Sequence, residues 1–176
     1  MFCFYKHHTR PNMRIRPYQK KDFDVISKWI TKERAHALWC ANLIPYPLER
    51  KGFEALLAEA EERFGDSPFV ATTEDGKVVG FFCFSVNLQT NEGMFKFVVI
   101  DDTERNKGYG CEMLKLAVKY AFEIAKADAV HLNVFPENIG AKKCYEKVGF
   151  KVRTLTENAF SFKDESWGRC NMVITK

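Results

Sequence analysis

This chain has six cysteines, yet no CxxC pair and no histidine and cysteine cluster at zinc-ligand spacing. A structural zinc module is thereby excluded, and no metal site is expected. No apolar run approaches the roughly 20 residues of a membrane-spanning helix. The segment Met1 to Arg10 has neither an uninterrupted apolar core nor a small-residue cleavage site of the secretory kind. Repeats, low-complexity tracts and Gly/Ser-rich linkers are absent as well. Charge is nearly balanced, with 27 Lys and Arg against 23 Asp and Glu, a net +4. That surplus is too small to imply nucleic acid but suits a small anionic ligand. Neither nucleic acid nor membrane is expected as a partner.

What is present reads as ordinary globular protein. At 176 residues, 46% hydrophobic and 28% charged, one domain of this size buries roughly 70% of the surface its unfolded chain exposes. Cys83, Cys111 and Cys144 sit inside apolar strand or helix patterns, which suits reduced, buried thiols and a cytoplasmic location. Met13 directly precedes the strand-like Arg14-Ile15-Arg16. Residues 1–12 are therefore expected to be an N-terminal extension, and 13–176 a single domain.

The pattern predicts a short strand near 13–18, then a helix over about 20–32 with Phe23, Ile26 and Ile30 in phase. An aromatic, proline-bearing loop from Trp39 to Tyr46 leads to a second helix, predicted to open at Pro47 with Phe53, Leu56, Leu57, Ala60 and Phe64 inward. Three strands follow: Phe69–Thr72, Val78–Val86 and Met94–Ile100, the first two joined by a turn at Glu74-Asp75-Gly76. A long helix is predicted over about 110–127, a strand over 130–134, and a helix over about 138–147 closed by Gly149. The tail, 151–162 and 168–175, reads as an antiparallel pair. Helices around strands, with one strand–turn–helix–strand crossover, point to α/β or α+β with a mixed sheet.

The segment richest in chemistry is Arg105-Asn106-Lys107-Gly108-Tyr109-Gly110, between an apolar strand and the long helix. A turn entering a helix through glycines presents unpaired amides at the positive end of the helix dipole, a setting suited to phosphate. Gly108 and Gly110, lacking Cβ, let an anion approach the main chain, and Arg105 and Lys107 add charge. The P-loop pattern GxxxxGK[ST] is absent, and position 113, where a dinucleotide fingerprint needs a third glycine, is Met113. Taken alone, the glycines are equally consistent with a tight strand-to-helix turn.

Residues 130–150 add a second motif: an apolar strand, then Asn138, Ala141, Tyr145 and Gly149-Phe150. Together with Arg105, Gly108 and Gly110, this order closely resembles the GCN5-related N-acetyltransferase (GNAT) superfamily, over about residues 13–175. The resemblance implies a central mixed, mostly antiparallel sheet flanked by about four helices. It also implies transfer of an acetyl group from acetyl-CoA, as co-substrate, to a primary amine on a small molecule or a protein. The reaction would be direct attack in a ternary complex.

By the same resemblance, the amides of Asn106, Lys107, Gly108, Tyr109, Gly110 and Cys111 would hold the pyrophosphate, with Arg105 beside them. Backbone groups of Val98, Val99 and Ile100 would pair with the pantetheine arm, Asn138 would contact CoA, and Tyr145 would be the general acid. Asn138 equally reads as a helix N-cap, and Tyr145 as a packed aromatic. Ribosomal-alanine-type members of the superfamily carry a glutamate base where this chain has Asn133, which cannot accept a proton. Glu92 and His36 are candidate bases, against the plainer readings of a loop carboxylate and a solvated surface histidine. His131 reads as a packed sheet residue. The loop Trp39–Tyr46 would wall the amine pocket or simply cover the second helix. A non-catalytic acetyl-CoA sensor is the alternative function. RNA binding is disfavoured because Phe95-Lys96-Phe97 lacks the rest of an RRM signature. Acetyl-CoA and an amine acceptor are the expected partners, with a homodimer left open.

Overall fold

The computed structural model describes residues 12–176, so the expected extension lies, but for Asn12, outside the described residues. Seven strands of the described residues form one sheet in the order β1-β2-β3-β4-β5-β7-β6. They are β1 (Met13–Pro17), β2 (Ser67–Thr73), β3 (Val78–Asn87), β4 (Glu92–Ile100), β5 (Ala129–Val134), β6 (Lys151–Phe162) and β7 (Glu165–Thr175). Every neighbouring pair is antiparallel except β4 and β5, which are parallel. The parallel pair arises because a helix must carry the chain from the end of β4 back to the start of β5.

Among the described residues five α-helices flank the sheet: α1 (Phe23–Ile26), α2 (Glu33–Cys40), α3 (Arg50–Phe64), α4 (Tyr109–Lys119) and α5 (Ile139–Val148). On one face α4 and α5 cover a core that includes Phe82, Phe95, Met113, Leu114, Leu132 and Tyr145. On the other, α1 and α3 cover Ile26, Phe53, Val70, Phe81 and Val99. A third cluster around Trp167 joins α2 to the β6–β7 hairpin through Ala37, Phe162 and Phe160. No helix among the described residues is long and apolar enough to cross a membrane.

Five local expectations are corrected. The helix predicted over 20–32 is a 3-10 turn (Lys20–Asp22) and the single turn of α1. Beyond Ile26, i→i+3 bonds from Lys28 to Val25 and Trp29 to Ile26 tighten the chain. The segment is rich in β-branched residues that resist helix, and this turn buries the adjacent Trp29 and Ile30 together.

Trp39 belongs to α2 rather than to a loop. The next helix starts at Arg50, not Pro47. Arg50 is anchored there by the Lys20 carbonyl at 2.8 Å and Asp24 at 2.7 Å. Phe64, predicted inward, is 55% exposed, its ring lying under the Lys96 ammonium. The helix predicted over 110–127 widens after Lys119 into a π-helical turn, Tyr120–Ile124, with the Ala125 amide bonded to the Tyr120 carbonyl. Ala121 lies in the core there while Ile124 faces solvent.

Candidate active site

The site begins where β4 and β5 part. Their pairing runs from Glu92 with Ala129 to Phe95 with Leu132 and stops. Beyond it, β4 changes its alternation: Phe97 takes a left-handed φ of 52°, and the register against β3 shifts between Phe81 and Cys83. The result is a bulge that bends the strand. Phe97 and Val99 then pack into the core beneath α3 while Val98 and Ile100 face the α4–α5 side. The wedge opened between the strands is a cavity of about 310 Å³.

Helix α2 supplies one wall of that cavity. It is clamped to the β6–β7 hairpin by Arg34, which grips Glu165 with two nitrogens at 3.1 and 2.8 Å, and by Lys163 bonded to Glu33 at 2.6 Å. The Arg34 bonds, with the Trp167 indole N–H at 2.8 Å, hold the Glu165 carboxyl down to about 2. So held, α2 directs Leu38, Trp39 and Cys40 at the cavity, followed by Ala41 and Leu43. Part of the aromatic loop segment thus lines the cavity. The Trp39 indole N–H donates to the Phe97 carbonyl at 2.9 Å.

The opposite wall comes from β5 and α5. Leu132 to Phe135, Asn138 and Tyr145 line it. Asn138 is the N-cap of α5, its side-chain oxygen accepting from the Ala141 amide at 3.4 Å, so its capping role is realised at the cavity edge. Tyr145 is 5% exposed and packs edge-on against Phe150 at 6.0 Å. Burial, and then the neighbouring Cys144, push its phenol above the ordinary tyrosine range, so the hydroxyl stays neutral.

The glycine turn lies at the end of β4 next to this wedge. Asp101, buried, caps the preceding turn by accepting from the Thr103 amide and hydroxyl at 2.9 and 2.7 Å. Asn106 and Gly108 take left-handed φ of 63° and 91°. The first bond of α4 runs from the Glu112 amide to the Gly108 carbonyl at 3.1 Å. The amides of Tyr109, Gly110 and Cys111 therefore have no acceptor within the helix. Gly110 stacks this turn on Cys144 and Ile100; a Cβ there would lie 3.4 and 3.5 Å from them. Lys107 is not a free charge, since its ammonium bonds Glu104 at 2.9 Å, and Lys77 bonds the same carboxylate. Arg105 is exposed.

The candidate bases fall elsewhere. Glu92 starts β4 and receives both its bonds, at 3.0 Å, from Arg153. His36 is fully buried rather than solvated, beside Cys40, and burial lowers its pKa. Neither lines the cavity. His131 is half-buried in β5 and bonded to Asn171 at 3.2 Å. Asn133 is exposed, its side-chain oxygen accepting from Asn171 at 2.9 Å. Among the three thiols expected buried, Cys83 is enclosed, but Cys111 and Cys144 are half-buried with their sulfurs 3.0 Å apart.

The sequence reading missed Leu38, Phe135 and Arg169 in the cavity wall. Arg169 could not have been found without knowing that β7 lies beside β5, which no local signal states.

The profile of the Acetyltransferase (GNAT) family matches residues 33–150. A probable N-acetyltransferase of Bacillus subtilis is 29% identical over 98 residues, 55% of this chain and 52% of its own length. The chain thus spans about half the length of that relative. An uncharacterized N-acetyltransferase of Methanocaldococcus jannaschii is 27% identical over 144 residues, 81% of each chain. The fold is shared with a spermidine N-acetyltransferase from Vibrio cholerae, solved in complex with CoA and spermine. That structure has a TM-score of 0.80 and 18% identity, covering 93% of this chain and 95% of its own.

Proposed function

We propose, because this chain belongs to the Acetyltransferase (GNAT) family, that it transfers the acetyl group of acetyl-CoA to a primary amine within a ternary complex. The observation that carries this reading is the wedge between β4 and β5, with Tyr145 and Asn138 on one side and the unpaired stretch of β4 on the other. The residues suit the co-substrate. The free amides of Tyr109 to Cys111, following the left-handed Gly108, would receive the pyrophosphate. The β4 backbone beyond Phe95, released from β5, offers groups to an extended pantetheine arm.

In the reaction the amine lone pair attacks the thioester carbonyl, the oxyanion draws on a β4 amide, and the C–S bond breaks. The amide product loses one proton, and the thiolate gains one. Tyr145 provides the donor for sulfur. No carboxylate among the described residues lines the cavity, and Asn133 cannot act as base, so the acceptor reacts from its neutral fraction and its proton leaves through solvent.

The test is calorimetric titration of CoA followed by thiol release from acetyl-CoA with a panel of amines and peptides. Tight binding with turnover is expected. Binding without turnover on any amine would support a sensor instead, and no binding would remove both.

A further inference from the structure

The acceptor side of the cavity carries a charge pattern of its own. Only two ionic side chains, Lys96 and Arg169, line it among the described residues, and both are cations. They are not equivalent. The Lys96 ammonium is turned away to Asp66 at 2.7 Å and over the Phe64 ring at 4.5 Å. Arg169 stands on β7, next to Cys170, which pairs with Val134 of β5. It is exposed, and no carboxylate among the described residues pairs with it. The rest of the acceptor wall is apolar: Leu38, Trp39, Leu43, Phe97 and Phe135.

A polycation finds nothing to pair with here. A second ammonium would leave water for a cavity whose uncommitted charge has its own sign, which rejects it. An uncommitted guanidinium at the mouth of an apolar cavity instead fits a planar or tetrahedral anion, bound through two parallel N–H bonds.

We propose that the acceptor is a small primary amine bearing an anionic oxygen group, carboxylate or phosphate, which Arg169 binds while the aromatic wall takes the apolar part. This assignment rests on the acetyltransferase reading and names the substrate class of that same site. It also separates the chain from the spermidine enzyme whose fold it shares.

The experiment measures thiol release from acetyl-CoA with four amines: phenylalanine, phenylalaninamide, O-phosphoethanolamine and spermidine. Phenylalanine and its amide differ in the anionic group, and the amide's amine is the less basic, so simple reactivity favours the amide. The expected result is kcat/KM at least about tenfold higher for phenylalanine or phosphoethanolamine than for phenylalaninamide and spermidine. Which of the two anionic amines leads identifies carboxylate or phosphate.

Arg169→Gln should bring that ratio close to one, through KM, with the CoA dissociation constant and Tm unchanged. Arg169→Lys should restore part of the ratio. The assignment is overturned if spermidine or phenylalaninamide is used as well as the anionic amines, or if Arg169→Gln leaves the ratio intact. It also falls if CoA binds but none of the four amines reacts. Failure to bind CoA at all would instead remove the acetyltransferase reading beneath it.

Discussion

The indole N–H of Trp39 donates to the carbonyl of Phe97 at 2.9 Å, and the two rings meet edge-on with centroids 6.1 Å apart. This bond ties the end of α2, one wall of the cavity, to the bulge of β4. It also satisfies a β4 carbonyl just where the strand loses a sheet partner.

Trp39→Phe keeps an aromatic wall but orphans that carbonyl. The expected outcome is a loss of about 1–3 kcal/mol of stability, read from chemical denaturation. The acceptor KM should rise more than the CoA dissociation constant changes, because the shifted wall faces the amine.

Tyr145→Phe should lower kcat by about 10² or more while the CoA dissociation constant stays within error. The ring and its contact with Phe150 survive the change; only the hydroxyl is lost. Burial raises the phenol's pKa, so the donor form persists up to and beyond the ordinary tyrosine value of about 10. In the wild type, kcat/KM should therefore climb with pH as the acceptor amine deprotonates. It should show no fall from this tyrosine below about pH 10. A steady-state pH profile with two amines of different pKa checks both points.

Gly108 and Gly110 should separate in a binding assay. At Gly108 the φ of 91° strains any residue with a Cβ by about 1–2 kcal/mol. Gly108→Val should weaken CoA binding at least about tenfold as the turn that aims the amides rearranges. At Gly110 an added Cβ would sit 3.4 Å from the Cys144 sulfur and 3.5 Å from Ile100, close to ordinary contact and turned toward the protein. Gly110→Ala should bind CoA with nearly unchanged affinity by calorimetry.

Asp22 gives a pH-dependent stability. It is 3% exposed, takes both Arg16 nitrogens at 2.8 Å and the Gln19 amide at 2.8 Å. Burial opposes its ionised form, but the Arg16 and Gln19 bonds outweigh burial, and its pKa is lowered. The folded value lies below the unfolded one, so this stabilisation is present above about pH 3.9 and is lost as pH falls through the folded value. Asp22→Asn should cost about 1–3 kcal/mol at pH 7. The two urea curves should approach each other below about pH 4.

Much of this layout is legible in the chain because it depends on neighbours in sequence. The hairpin at Asp75-Gly76, the Asn138 cap, the Gly149 stop and the glycine turn each follow from a backbone need that a nearby residue meets. Helix limits are legible less often. α3 begins at Arg50, whose side chain reaches Asp24 and the Lys20 carbonyl, and the helix after Lys119 widens over a buried Ala121. Both places make contacts across the fold.

Local pattern by itself determined the order of the strands, the helices α3 to α5 and the glycine turn into α4, while the resemblance of the two motifs singled out Tyr145 and Asn138. Periodicity and turn chemistry act over a few residues, so they survive in one dimension. Tertiary structure alone decided that β7 lies against β5, which brings Arg169 to the cavity, that His36 is buried, and that Glu92 is held by Arg153 away from it. Those outcomes depend on strand order, on a bulge at Phe97 and on ion pairs between distant segments. Long-range pairing sets all three, and no stretch of sequence encodes it alone.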